Sequence, residues 1–213
     1  MGSLFTTQLP ANPDAWETSG VMLGTLLTFS VSGQVTGCRW RYPLALPAQP
    51  VVAKFYQYGT ESSGTELASA TFSSPTAGAW NTVNFGAAVN VTANTKYLSC
   101  VWSNRDYVRT DSFFTSALTN AQITGPANGT AKNGKFKFTN TPGYPDSDQS
   151  GACYFVDVLF TPSGTDAPPE ADVVVPTTPN FLDVDMIINS YTVPLDVSTA
   201  ATMTCSRRLP SSS

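Results

Sequence analysis

The chain has 213 residues, of which 41% are hydrophobic and only 12% charged, with a formal net charge of −4. An acidic chain has no electrostatic attraction for phosphate backbones or anionic lipid surfaces, so we expect no nucleic-acid partner and no membrane partner. Histidine is absent, which removes the usual general base of serine and cysteine hydrolases and the commonest zinc ligand.

The first residues do not resemble a secretion signal. No basic residue precedes Arg39, and Pro10 and Pro13 interrupt any apolar core of such a signal. Two explanations stay open: a signal was removed, or the chain is not exported. The four cysteines are Cys38, Cys100, Cys153 and Cys205. They are far apart in sequence, so none of them forms the closely spaced pair that is typical of metal sites or redox motifs. We expect buried thiols, with one disulfide as the alternative.

The apolar residues recur with a period of two, which predicts strands and no helices. In chain order the predicted strands lie around Thr36–Tyr42, Val51–Tyr58, Leu67–Phe72, Trp80–Phe85, Tyr97–Trp102, Lys135–Phe138 and Tyr154–Phe160. Clusters of Gly, Ser, Pro and Asn separate them and favour turns. Eight to ten strands at this spacing predict an all-β fold, an antiparallel β-sandwich of the jelly-roll-like kind.

Two of these strands carry specific expectations. In the first, Thr36, Cys38, Trp40 and Tyr42 alternate with Arg39 and Arg41, which predicts an inward apolar set and two guanidinium groups in solvent. The strand Tyr97–Trp102 is apolar on both faces. It is therefore central, or its outer face is covered, and the stretch 103–133 with Phe113 and Phe114 is the expected cover.

The chain divides into a body and an arm. Residues 1–161 contain 22 of the 24 aromatic residues and equal numbers of acids and bases. Residues 162–213 contain 7 of the 16 prolines and carry the whole net charge of −4. Prolines at 162–169 are typical of an extended linker. We therefore expect a sandwich domain at 1–161 and a Pro-punctuated acidic arm with short β segments at 162–213.

Several segments of the body, in this order, resemble a β-sandwich family known as domain of unknown function 4082. The segments are Leu23–Phe29, Gly33–Trp40, Glu66–Phe72, Gly78–Phe85, Val89–Tyr97 and Tyr154–Phe160. The chain differs from the family's usual pattern at Cys38 and Trp40 and has a longer turn at 57–65. The resemblance implies a jelly-roll-like module of surface and polysaccharide-associated proteins, and it brings no catalytic residues.

With its acidic arm, the chain also looks like the small minor tail or capsid decoration proteins of tailed phages. That resemblance implies assembly in the host cytoplasm and a place in the virion, with a secreted or cell-surface location as the alternative. The expected partners are other virion subunits in tail or capsid, and a second copy of the chain. The arm residues expected to contact them are apolar: Phe181, Leu182, Met186, Ile187, Ile188 and Tyr191. The alternative is a flexible tail.

One pattern bears on metal binding. Asp146, Asp148 and Ser150 have the spacing of the first positions of a calcium loop, and Asp157 falls at its last position. Ser replaces a carboxylate, and Asp157 lies within a predicted strand, so an Asp/Ser turn is the preferred interpretation. We expect no metal and no cofactor. The acidic pair Asp14 and Glu17 beside Trp16 is typical of an exposed loop.

The sequence favours recognition over catalysis. Nothing marks a carboxylate pair of the glycosidase type, so we expect no enzyme. The alternative to the virion role is a carbohydrate-binding module for a bacterial cell-wall or surface glycan. Its candidate residues are tyrosines that can stack on sugar rings: Tyr56 and Tyr58 on an outward strand face, and Tyr107 and Tyr144 in loops.

Overall fold

The computed structural model describes residues 1–163, which form an all-β body and so confirm the predicted fold class. Besides one short 3₁₀ helix at Phe113–Thr115, the elements are β1 (Asn12–Trp16), β2 (Val21–Phe29), β3 (Gly33–Arg41), β4 (Ala48–Tyr58), β5 (Gly64–Thr71), β6 (Trp80–Val91), β7 (Lys96–Asn104), β8 (Asp106–Arg109), β9 (Leu118–Asn120), β10 (Ile123–Gly125), β11 (Lys135–Phe138), β12 (Ser147–Asp148) and β13 (Val156–Pro162). Within this part of the chain, no helix has the length and apolar character needed to cross a membrane.

The strands form two antiparallel layers. The larger sheet has the order β12-β11-β2-β7-β4-β5, with β10 beside β2 and β9 beside β10. The smaller sheet has the order β13-β3-β6, and β1 pairs with β8 in a separate ribbon. Side chains from both sheets form one buried core, so the layers pack as a sandwich.

In and just after β3, three of the four inward residues that period-two alternation predicts lie in the core, and a register shift between Val35 and Gly37 interrupts the alternation at Thr36. Cys38, Trp40 and Tyr42 are fully buried, and Thr36 is half-buried. The indole Nε1 of Trp40 donates a hydrogen bond to the carbonyl oxygen of Tyr154 at 3.0 Å. The large side chain is therefore held in the core with its polar atom paired.

Arg39 corrects the expectation that both arginines of β3 point into solvent. Its side chain is only 18% exposed, and its Nε lies 3.0 Å from Oδ2 of the buried Asp157. That carboxylate also accepts hydrogen bonds from the backbone N–H groups of Leu4 and Phe5, at 2.8 and 3.0 Å. Arg39 in turn donates to the carbonyl oxygen of Phe5. The ion pair thus fastens the N-terminal segment to the sandwich.

Strand β7 is central, as its apolar pattern predicts, because it lies between β2 and β4. Its outer face belongs to a second buried cluster made of Met22, Leu26, Tyr56, Leu98, Cys100 and Trp102. Ala131 and Tyr144 pack on this cluster. The predicted cover by residues 103–133 is confirmed at Ala131 but is wrong for Phe113 and Phe114, because both rings join the core between the sheets, where Phe113 packs against Phe5 and Phe155.

A single amide side chain completes the edge of β2. Strand β11 pairs with β2 from Val21 to Gly24, and β10 pairs with it at Thr28 and Phe29. In the gap, the buried Asn133 accepts a hydrogen bond from the N–H of Leu26 at 2.9 Å and donates to its carbonyl oxygen at 3.3 Å. The amide therefore takes the place of a neighbouring strand's peptide group.

A buried lysine holds the outer cover in place, which is the set of residues, including Ala131 and Tyr144, that pack on the second cluster. Lys135 is 1% exposed, and its Nζ contacts the carboxylate of Glu61 at 3.0 Å and the carbonyl oxygen of Glu61 at 2.9 Å. Glu61 also accepts hydrogen bonds from the hydroxyl of Tyr58 and from the N–H of Lys132. The β4–β5 turn is thereby tied to the segment that precedes β11.

Candidate functional site

A cleft opens where the β1–β8 ribbon meets the β2–β11–β12 edge of the larger sheet. Its free volume is about 140 Å³. Its lining comes from five separate parts of the chain: Glu17 after β1, Val21 and Leu23 in β2, Tyr107 and Arg109 in β8, Phe136 and Phe138 in β11, and Gln149 and Tyr154 in the segment from β12 to β13. The cleft thus combines aromatic walls with three polar side chains.

The aromatic residues form two opposed pairs. Phe136 and Phe138 are one alternation apart on β11, and their rings meet edge to face with centroids 5.3 Å apart. Their register partners on β2 are Leu23 and Val21. On the other wall, the rings of Tyr107 and Tyr154 meet edge to face at 5.9 Å. Both tyrosines are buried, whereas Phe138 is 55% exposed.

The polar groups are fixed by hydrogen bonds and ion pairs. The hydroxyl of Tyr107 donates to Oε1 of Glu17 at 2.9 Å. Burial, reinforced by that hydrogen bond and by the charge of Glu17, raises the pKa of Tyr107 to about 12, so the phenol stays a neutral donor. Arg109 pairs with Asp111, with Nε 3.0 Å from Oδ1. The backbone N–H of Gln149 donates to the carbonyl oxygen of Gly134 at 3.1 Å, and the residue is exposed.

The tyrosines predicted as glycan contacts lie in two places. Tyr56, Tyr58 and Tyr144 come together on the outer face of the larger sheet, where the rings of Tyr56 and Tyr144 meet at 5.2 Å. Tyr56 is buried beneath the cover, which corrects the expectation of an exposed ring, and Tyr144 donates its hydroxyl to the carbonyl oxygen of Thr60. Tyr107 lies in β8, not in a loop, and lines the cleft.

The residues that match the calcium-loop spacing make other contacts in the structure. Asp146 pairs with Lys137 at 2.6 Å, and Asp148 lies in β12 opposite Lys135 in the strand register. Asp157 binds Arg39 inside the core. Ser150 follows β12 with a φ of 42°. Among residues 1–163, no group of three or more His, Cys, Asp or Glu side chains is arranged to hold a metal ion.

The three cysteines in the described part of the chain are in surroundings that disfavour thiol reactivity. Cys38, Cys100 and Cys153 are free and buried, and burial raises the pKa of each thiol, which disfavours the reactive thiolate. Cys205 lies outside the described residues. So do the arm residues predicted to contact partners: Phe181, Leu182, Met186, Ile187, Ile188 and Tyr191.

Sequence reasoning missed most of the cleft. It named Tyr107 but assigned Glu17 to an exposed loop, and it used Phe136 and Phe138 only as evidence for a strand. No sequence pattern marked Arg109 or Gln149 as a candidate site residue. The one available hint was the strict alternation at 135–138, which leaves a phenylalanine near the end of a strand where a turn follows.

These features define the class of protein: an antiparallel β-sandwich with a polar and aromatic cleft at one end. A family model described as Domain of unknown function (DUF4082) matches residues 7–156. The match covers more than half of the chain, so the chain belongs to this family, as its strand segments predict. No curated protein matches the chain.

Proposed function

We propose that the chain is a non-enzymatic structural protein of a phage virion, a minor tail or capsid decoration protein. Its body is an independently folded sandwich, and its arm at 162–213 docks on neighbouring subunits by burying apolar side chains and by strand addition. The virion is its location, other virion subunits are its main partners, and a second copy of the chain is a further partner.

The observation that carries this proposal is where the chain leaves the body. After β13 the N–H of Ser163 donates to the carbonyl oxygen of Ser32 at 3.0 Å. This is the Phe29 end of β2, where the rings of Phe29 and Phe160 lie 4.5 Å apart. The cleft lies at the Val21 end. The eight residue-to-residue steps of β2 separate the two ends by roughly 26 Å, so a body tethered through its arm directs the cleft away from the tether.

The composition of the two parts supports the same division of roles. The body is formally neutral and encloses its own apolar core. The arm carries the charge of −4 together with apolar runs such as Phe181–Leu182 and Met186–Ile188. Apolar runs of this length are too short to form a core of their own, and contact with another subunit would bury them.

The test is truncation after Pro162. We expect the truncated chain to remain folded, with an unchanged far-ultraviolet circular dichroism spectrum, and to be absent from purified particles. The matched control is full-length Asp146→Asn, which alters an exposed ion pair with Lys137 of β11 and should incorporate normally. Incorporation of the truncated chain at the normal level would refute docking through the arm.

A second candidate function is recognition of a bacterial cell-wall or surface glycan. The cleft favours it specifically, because sugar-binding sites combine an aromatic face with a few polar groups that satisfy hydroxyls. Retention of labelled cell-wall fragments by the immobilised chain tests this function. The two functions are compatible, since a protein fixed in a virion by one end can bind a host surface by the other.

A further inference from the structure

The size and polarity of the cleft restrict what it can hold. At about 140 Å³ it is well below the roughly 300–1,000 Å³ of sites for drug-sized ligands. A single sugar ring or one end group of a longer chain fits such a volume. The cleft therefore holds no more than one ring, which favours a terminal group over an internal stretch of polymer.

The charges around the cleft argue against an anion. Glu17 and Arg109 line it with opposite charges, and Arg109 is already paired with Asp111. The local sum of these three groups is negative. An anionic ligand would have to displace Asp111 from Arg109 or lie beside two carboxylates. A neutral ligand avoids both costs.

The hydrogen-bonding groups suit hydroxyls. Glu17 uses Oε1 to accept from Tyr107, which leaves Oε2 to accept from a ligand hydroxyl. The exposed side chain of Gln149 offers both a carbonyl acceptor and an amide donor, and the guanidinium of Arg109 offers donors. A ligand that donates and accepts at neighbouring atoms matches this set, and vicinal hydroxyls do so.

The remaining wall offers an apolar face. Phe138 is 55% exposed, yet its ring is held by the edge of Phe136. Its backbone pairs with Val21 of β2, so the ring stands on a rigid strand. One face of a pyranose consists of C–H groups that stack on such a ring.

We propose that the cleft binds the terminal neutral pyranose of a glycan, with its C–H face on Phe138 and its hydroxyls on Glu17, Arg109 and Gln149. This inference rests on the second proposed function, glycan recognition, and assigns it a site. The tyrosines of the outer face, Tyr58 and Tyr144, are not part of this site.

The experiment measures saturation-transfer NMR on the full chain with methyl glycosides of glucose, galactose, mannose and N-acetylglucosamine, and with glucuronic acid as the anionic comparison. We expect transfer to at least one neutral glycoside and none to glucuronic acid. Replacing the exposed side chains by Phe138→Ala or Gln149→Ala should weaken the affinity about five- to tenfold. Leu44→Ala, at an equally exposed apolar residue outside the cleft, should leave it unchanged.

Three results would overturn the inference, and they are distinguishable. Neutral glycosides that bind equally well to Phe138→Ala and Gln149→Ala, but not to Tyr58→Ala, would place the site on the outer face and leave glycan recognition standing. Binding of glucuronic acid in preference to neutral glycosides would refute the ligand class. Absence of binding to any sugar and to cell-wall fragments would refute the proposed recognition together with its site.

Discussion

The ion pair between Asp157 and Arg39 predicts a large effect for a minimal substitution, Asp157→Asn. The carboxylate accepts from Leu4, Phe5 and Val158 backbone N–H groups and from the guanidinium of Arg39. An amide of the same shape keeps one acceptor oxygen and turns an NH₂ group toward donors. Two of the four hydrogen bonds are then lost, and the charge of Arg39 has no counter-ion.

The magnitude follows from burial. Breaking a buried ion pair by removing one partner costs about 3–5 kcal/mol. Because Arg39 retains 18% exposure, water reaches it in part, and we expect the lower value, about 3 kcal/mol. For a body of residues 1–163 the entropy of unfolding is about 0.34 kcal/mol per kelvin, so the expected fall in Tm is about 9 °C.

Differential scanning calorimetry of the full chain measures this shift. The control is Asp146→Asn, which removes an exposed ion pair with Lys137 worth less than about 1 kcal/mol and should lower Tm by no more than about 3 °C. In a chain that lacks residues 1–5, Asp157→Asn should lower Tm less than in the full chain, because two of the four hydrogen bonds to the carboxylate, those from Leu4 and Phe5, are already absent. If Asp157→Asn and Asp146→Asn melt alike in the full chain, the reasoning about the N-terminal anchor is wrong.

Two further predictions concern the outer cover and the β2 edge. Burial alone would raise the pKa of Glu61, but the hydrogen bonds of its carboxylate and the charge of Lys135 outweigh burial and lower that pKa. The ionised Glu61 therefore contributes its full stabilisation above the ordinary carboxyl pKa of 4.5. This stabilisation is lost as the pH falls through the lowered pKa. Thermal melts from pH 7 to pH 2 should show this acid loss, and Glu61→Gln should flatten it; an equal acid slope in both chains would contradict the assignment. Asn133→Ala should destabilise the body by at least about 2 kcal/mol in urea titrations, because it leaves the N–H and carbonyl oxygen of Leu26 unpaired. The control is Asn140→Ala at an exposed position, which should change the free energy of unfolding by less than about 0.5 kcal/mol. Equal effects of the two asparagine substitutions would refute the role of the Asn133 amide.

The strands of this fold can be predicted from the sequence because the pattern that indicates them lies within each strand. Alternation at Cys38, Trp40 and Tyr42 is enough to predict an inward face, and the two-sided apolar pattern of 97–102 is enough to predict a central strand. Both follow from the period of a β-strand, which needs no knowledge of the partner strand.

The misplaced residues depend on partners far away in the chain. Arg39 follows the alternation but is drawn inward by Asp157, which is 118 residues away. The use of Asn133 as a substitute peptide group depends on the gap that β10 and β11 leave along β2. The cleft has the same difficulty, since five separated segments meet there and each has an ordinary local pattern.

The N-terminal segment occupies part of one sheet edge of the body. Gly2 pairs with Phe160 through hydrogen bonds in both directions, so the outer edge of β13 is already occupied where the chain continues toward the arm. Strand addition at that edge by residues after Ser163 would have to displace Gly2 and the anchor at Leu4 and Phe5, which the Asp157–Arg39 pair opposes. The proposed strand addition by the arm would therefore need a sheet edge other than that of β13.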